Sequence, residues 1–358
     1  MVEKVIYYLG DFFKIHLTKH TGKRVFSDLE AVNGIPGIEF AERLNMKSSP
    51  GWPYQIEEKH QPGKFYLFDE EGNIISESLR LRLNDRLTAA AKGLRVSSIW
   101  RDCMKDELRP VEKVNAGKTR LFNIAPVDFT IAFRKYFLDF IIAFYSQHNQ
   151  RFFSCVGISA ESFEWTDLYD YLVEVGLEAI GGDFKCFDGK IMPELLWGLC
   201  EIINRWYDDG KINAEIRRTL FNEIIHTLQL VENCVYSTHQ GNPSGNPATA
   251  PLNTIISLML FMLGWISITQ RPLDDFFRYT RVAAYGDDII STVHPTCSEF
   301  NQNSITKFLA SHNIEFTTEL KDDRETTDFR NLNDITFLKR GFRRDPDFGK
   351  MFVVPTMA

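Results

Sequence analysis

Six cysteines, Cys103, Cys155, Cys186, Cys200, Cys234 and Cys297, are scattered through 358 residues with no paired spacing. That scatter excludes a disulfide framework and a cysteine-based zinc site, and it points to a reduced, intracellular protein. Positive charge is not in excess either: 41 Lys and Arg stand against 48 Asp and Glu, a formal net charge of −7. A protein that coats nucleic acid with its whole surface is thereby excluded, but one with a local basic channel is not. No secretory leader is expected, because the short start Met1–Leu9 runs into Asp11 and Lys14. Internal repeats, low-complexity tracts and disordered linkers are also missing. The stretch from Ser244 to Gln270 carries no charge, yet Asn253, Thr254, Ser257 and Ser267 dilute it and Pro247 and Pro251 interrupt its start. It predicts a core helix, not a transmembrane segment. His16 and His20 lie four apart and could share a helical face, but no carboxylate or cysteine pattern joins them, so they read as surface histidines.

What remains is an ordinary globular composition, 44% hydrophobic and 25% charged, long enough for one large or two to three smaller domains. Hydrophobic patterning predicts helices over 129–147, 166–176, Pro193–Tyr207, Arg217–Leu230 and Ile305–His312. Strands are predicted at Ala179–Phe184, Cys234–His239 and Ile314–Thr318, with hairpins at Lys64–Ser76 and Val282–Val293. Helices and strands alternate without a strict βαβ rhythm, which suggests the α+β class.

The chemistry concentrates in acidic segments. In Tyr285-Gly286-Asp287-Asp288, apolar residues lead in and out and Gly286 sits at the break, the pattern of a strand, a tight turn and a strand. Two acids in such a hairpin need neutralising, and a divalent metal is the usual partner. Upstream, Asp183 and Asp188 lie five positions apart after Gly181-Gly182; on a regular strand that odd spacing would set them on opposite faces. Between the two segments, Gln240–Thr254 is rich in Gly, Pro and Asn and opens into the long apolar helix, a setting that favours anionic groups. Arg101, Lys105, Arg109 and Lys113 recur at even spacings, so an extended segment would place all four on one face.

The ordered set resembles the palm of viral RNA-dependent RNA polymerases, most closely the picornavirus-like group. Asp183 and Asp188 match its first motif, Ser244-Gly245 with Thr249 and Asn253 its second, and Tyr285–Asp288 its third. Phe337-Leu338-Lys339-Arg340 matches the hairpin that follows, Lys105–Arg120 the basic fingers motif, and Ser48-Ser49-Pro50-Gly51 the motif where the template enters. The resemblance implies a right-hand polymerase whose palm is an antiparallel sheet backed by helices. It implies fingers over 1–140, palm over 141–190, a fingers insertion over 191–238, palm over 239–342 and the start of a thumb at 343–358. Few residues follow Arg340, so the chain is expected to be a polyprotein fragment lacking most of its thumb.

The same resemblance implies template-directed RNA synthesis from ribonucleoside triphosphates, with two Mg2+ ions for which Mn2+ can substitute. Asp183 and Asp287 would be metal ligands, Asp288 a weaker third. Asp188, Asn253, Ser244 and Thr249 would read the ribose, since a carboxylate accepts from a 2′-hydroxyl and an amide can donate and accept. Lys105, Arg109, Lys113, Lys118 and Arg120 would hold the triphosphate, Lys321 would protonate pyrophosphate, and Lys339 and Arg340 would support the primer. The implied partners are RNA template and primer, a protein primer and other viral replication proteins, at membrane-associated replication complexes in host cytoplasm. A reverse transcriptase and a catalytically weak RNA-binding fragment are the alternative readings; Asp188 and Asn253 argue against the first, because a deoxynucleotide offers them no 2′-hydroxyl.

Overall fold

A computed structural model describes residues 1–57, 62–147, 151–318, 327–345 and 353–357. In chain order the strands are β1 Ile99–Met104, β2 Leu121–Ile124, β3 Glu178–Phe184, β4 Leu228–Val231, β5 Cys234–Ser237 and β6 Thr280–Tyr285. They continue with β7 Asp288–Val293, β8 Phe316–Thr317, β9 Arg330–Asn331, β10 Arg340–Arg344 and β11 Val353–Met357. Internal contacts divide the chain into a first unit of Met1–Lys19, Ala143–Lys190 and Ala250–Ala358, and a second of His20–Ile142 and Ile191–Thr249.

The first unit is built on a sheet of order β6–β7–β3–β8, with β9 also paired to β3, and every pairing is antiparallel. Helix Glu164–Leu172 covers it, burying Trp165, Leu168 and Leu172 against Ala283, Ile290 and Phe337. Helix Thr249–Thr269 is apolar around its whole circumference, the signature of a helix enclosed on all sides. Among the described residues it alone is long and apolar enough to cross a membrane, yet 78% of that window is buried in protein. The α+β expectation is met, with an antiparallel sheet backed by helices.

Met1–Lys19 does not group with the rest of the range 1–140. Val5, Leu9 and Phe13 form one buried stripe of helix Val2–His16, and Phe12 stacks on Phe152 at 5.7 Å and Phe13 on Phe153 at 6.2 Å. His16 ends that helix and His20 lies beyond it, so the two histidines share no helical face.

In the second unit, β2–β1–β4–β5 form a sheet in which β1 and β4 run parallel. Helix Val127–Tyr145 supplies a ladder of Phe129, Phe133 and Phe137, the last two 4.2 Å apart between ring centres. Buried Arg86 bridges Asp128 at 2.6 Å and Glu223 at 2.5 Å, joining three helices. Removing one partner of such a buried set costs about 3–5 kcal/mol, because a charge is left uncompensated.

Four local expectations are corrected. The helix placed at Arg217–Leu230 runs Lys211–Ile225, and Leu228–Val231 is a strand, because pairing with β1 and β5 overrides the helical pattern. Strand β3 stops at Phe184, Cys186 turns left-handed at φ 55°, and Asp188 sits on a short helix, Phe187–Lys190, not on the opposite strand face. The Arg101–Lys113 run is not one extended face: β1 ends at Met104, and Pro110 introduces a short helix, Val111–Asn115, that carries Lys113. In place of a Lys64–Ser76 hairpin there is a single bridge, Phe68 to Ile74, since a 3₁₀ turn takes Phe65–Leu67 and Ser76 caps the following helix.

Candidate active site

The acidic residues of the first unit converge at one end of its sheet. Asp183 lies opposite Asp288 in the β3–β7 register, and Tyr285 opposite Asp288 in β6–β7, so Gly286 and Asp287 form a two-residue turn beside Asp183. Gly286 takes φ 63°, a conformation that costs a side-chain-bearing residue energy and glycine none. Gly182 serves a different need: a Cβ there would come within 2.1 Å of the Thr317 carbonyl oxygen, so only glycine lets β8 close against β3 next to Asp183.

Burial, with the neighbouring Asp183 carboxylate second, pushes the Asp287 carboxyl up to about 6, and Asp188 adds to the repulsion. The Asp183 and Asp287 carboxyls also lie within hydrogen-bond reach of each other. Asp288 is engaged differently, accepting 2.9 Å from the backbone amide of Leu338. Among the described residues no group of three or more His, Cys, Asp or Glu is arranged as a ready metal cage. Two crowded, partly buried carboxylates nonetheless supply the hard oxygen donors that Mg2+ or Mn2+ takes, and their mutual repulsion is what a cation would relieve. The residues therefore fit a divalent metal.

Asp188 is brought to the same region. Its carboxylate accepts 2.5 Å from the side-chain amide of Asn253, which is 5% exposed near the start of the long helix. Lys185 and Lys190 bracket the Asp188 segment and both grip Glu315 at 2.7 Å. The sequence signal for Glu315 was absent: it is one acid on a neighbouring segment, meaningful only once β8 pairs with β3.

Lys339 and Arg340 line an open cleft of about 630 Å³ together with Glu161, Tyr285, Asp287 and Asp288. Leu338 and Lys339 both take positive φ, 53° and 59°, and Phe337 and Arg340 exchange backbone hydrogen bonds of 2.9 Å across them. That tight turn has the backbone form of a primed hairpin. Lys321 lies outside the described residues.

The other expected site residues belong to the second unit. The Ser244 hydroxyl accepts 3.2 Å from the Asn123 amide, and its own amide donates 3.2 Å to the Asn123 side chain. The Asn123 side chain in turn donates to Asp102, which also accepts from Tyr236. Thr249 turns its hydroxyl inward, donating 2.8 Å to the Asn246 carbonyl at the start of the long helix. Glu107 gathers three expected triphosphate residues, with Lys105 at 3.4 Å, Arg109 at 3.2 Å and Arg120 at 3.7 Å. Lys113 and Lys118 are exposed. Glu107 was visible in the sequence only as an acid interleaved among bases.

The Ser48–Gly51 loop is held from behind. Lys64, 6% exposed, donates 2.9 Å to the Ser48 carbonyl, 2.5 Å to its hydroxyl and 3.2 Å to the Asn45 carbonyl. Burial pulls the Lys64 amine down to about 8. Pro50 accepts from the Val127 amide at 2.9 Å, and a Cβ on Gly51 would meet the Ala125 carbonyl at 2.5 Å. Lys64 was not singled out in sequence because a lone lysine carries no pattern.

The model of one protein family, described as viral RNA-dependent RNA polymerase, matches residues 14–355. The chain is 33% identical over 337 residues to the replicase polyprotein of Acute bee paralysis virus, covering 90% of this chain and 18% of that polyprotein. It is 34% identical over 342 residues to the genome polyprotein of Deformed wing virus, covering 91% of this chain and 12% of that one. The chain thus spans under a fifth of the length of these relatives. Among solved structures, a sicinivirus 3Dpol RNA-dependent RNA polymerase matches with a TM-score of 0.75 at 23% identity, over 99% of this chain and 70% of that one, a likeness of fold.

Proposed function

Because the chain belongs to the viral RNA-dependent RNA polymerase family, we propose that it carries out template-directed RNA synthesis from ribonucleoside triphosphates in the replication of a picornavirus-like genome. The observation that carries this reading is the juxtaposition of Asp183 with Asp287, in register with Asp288 and beside the Asp188–Asn253 pair. Asp183 and Asp287 would hold two Mg2+ ions, with Mn2+ able to substitute and Asp288 a weaker third donor. When bound, such ions would offset the charge that builds between an attacking 3′-hydroxyl and the α-phosphate.

The chain's own residues do the rest by placement. Asp188 and Asn253, hydrogen-bonded to each other, would read a ribose 2′-hydroxyl, since a carboxylate accepts from it and an amide can donate and accept. Ser244 and Thr249 are proposed as further ribose contacts, and Lys105, Arg109, Lys113, Lys118 and Arg120 as triphosphate contacts, on the strength of their motifs. Ser48–Gly51 would meet the template and Lys339 and Arg340 the primer; Lys321 as proton donor to pyrophosphate rests on the motif alone. We assign the fingers to residues 1–140 with an insertion at 191–238, the palm to 141–190 and 239–342, and the start of a thumb to 343–358. RNA template and primer, a protein primer and other viral replication proteins are the proposed partners, in host cytoplasm at membrane-associated complexes.

Primer extension on homopolymeric RNA, with ribo- and deoxynucleotides side by side, tests the proposal. Preferential ribonucleotide incorporation supports it. Preferential deoxynucleotide incorporation would make the chain a reverse transcriptase, and RNA binding without any incorporation would leave it a binding fragment.

A further inference from the structure

Gly286, the residue that turns β6 into β7, has both of its main-chain polar groups tied to one helix. Its amide donates 2.7 Å to the hydroxyl of Thr254, and its carbonyl accepts 2.7 Å from the hydroxyl of Ser257. The Thr254 hydroxyl passes its own proton on, donating 2.8 Å to the Ala250 carbonyl one turn earlier. Thr254 and Ser257 are wholly buried, and Ile255, Ile256, Leu258 and Met259 around them on the helix are apolar. A buried hydroxyl in such surroundings is kept only where it is satisfied. Here both are satisfied, and the partner they share is the single residue before Asp287.

The spacing is what makes the arrangement rigid. Residues three apart on a helix lie on one face, so Thr254 and Ser257 present a donor and an acceptor to the same turn. Asn253, immediately before Thr254, holds Asp188. One helical turn therefore fixes both the turn bearing Asp287 and the partner of Asp188.

We propose that Thr254 and Ser257 are positioning residues that hold the Gly286 peptide groups, and through them the Asp287 carboxylate, at the place where it meets Asp183. They touch no substrate. The inference rests on the reading of Asp183 and Asp287 as metal donors. The repulsion between Asp183 and Asp287 presses on this turn, and two hydrogen bonds to a buried helix resist it. A displacement of about 1 Å in a catalytic group can cost on the order of a hundredfold in rate.

Thr254→Val and Ser257→Ala remove one hydroxyl each at nearly constant volume, and Thr254→Ser restores the hydroxyl. Two measurements are made on folded protein, checked by circular dichroism: equilibrium Mn2+ binding by electron paramagnetic resonance without RNA, and kcat and KM in primer extension. Each hydroxyl deletion is expected to weaken Mn2+ binding about fivefold or more and to lower kcat roughly ten- to hundredfold, with KM for nucleotide within about threefold, and Thr254→Ser to return both values. Unchanged Mn2+ affinity and kcat in both deletions would overturn the inference, as would a failure of Thr254→Ser to rescue. Asp287→Asn runs alongside: if it binds Mn2+ as the parent does, the metal reading itself falls and takes the positioning role with it.

Discussion

The backbone amide of Leu338 donates 2.9 Å to Oδ2 of Asp288, which ties the Leu338-Lys339 turn to the second acid of the β6–β7 hairpin. The adjacent acids thus have different work. Asp287 faces Asp183 across a charge repulsion, whereas Asp288 anchors the turn that carries Lys339 and Arg340. Asp287→Asn should reduce incorporation to background. Asp288→Asn keeps an oxygen for the Leu338 amide and loses only charge, so about a tenth of parent activity should remain; Asp288→Ala should fall further, since a charge-assisted bond is worth about 1.5–3 kcal/mol. Side-by-side turnover rates check the order, and equal loss in Asp288→Asn and Asp287→Asn would refute the division of labour.

Asp287 also carries a stability cost without metal. Its carboxyl is raised from 3.8 to about 6 in the folded protein, so between those pH values the native state binds the extra proton. Stability accordingly falls as pH rises through that window, and the full penalty, on the order of 1–3 kcal/mol, stands above it. In metal-free buffer near pH 7.5, Asp287→Asn should melt higher than the parent, with the gap closing towards pH 4 and narrowing when Mg2+ is added. Thermal scans across that pH range check it; a lower melting point for the variant at pH 7.5 would contradict it.

Asp188→Ala and Asn253→Ala break a single hydrogen-bonded pair. Each should reduce the preference for ribo- over deoxynucleotide about ten- to hundredfold, because a lost polar contact of that kind is worth about 1–3 kcal/mol. The double variant should be little worse than either alone. An unchanged preference, with Mn2+ affinity lost instead, would move Asp188 into the metal site.

Arg120 lies 3.7 Å from Glu107 and is 58% exposed at its side chain. That exposed pair contributes at most about 1 kcal/mol to stability. Arg120→Lys should therefore leave the melting point within about a degree while raising KM for nucleotide several-fold, because a point charge cannot reproduce a bidentate phosphate grip. Parent-like kinetics would return the Lys105–Arg120 segment to a solvated ribbon of charge.

Much of the site was legible because its chemistry is local in sequence. The Tyr285–Asp288 hairpin, the Gly181–Asp183 strand end and helix Pro193–Tyr207 are each specified by a few adjacent residues, with Gly286 or Pro193 supplying the punctuation. The failures share one cause. Leu228–Leu230 reads as helix alone and becomes a strand only because β1 and β5 are there to pair with it. Asp188 leaves the strand because Cys186 turns left-handed, which no alternation pattern encodes. Lys64, Thr254 and Ser257 act on main-chain groups distant in sequence, so their roles appear only when the partners are in place.

The most direct test of the central claim is template-dependent incorporation of labelled UMP on poly(A) primed with oligo(U), in Mg2+ and in Mn2+, by this chain and by its Asp287→Ala form. Incorporation that requires the template and vanishes in Asp287→Ala, with RNA binding and circular dichroism retained, is the expected result. Equal incorporation by both proteins, or binding of RNA with no incorporation by either in both metals, would contradict it.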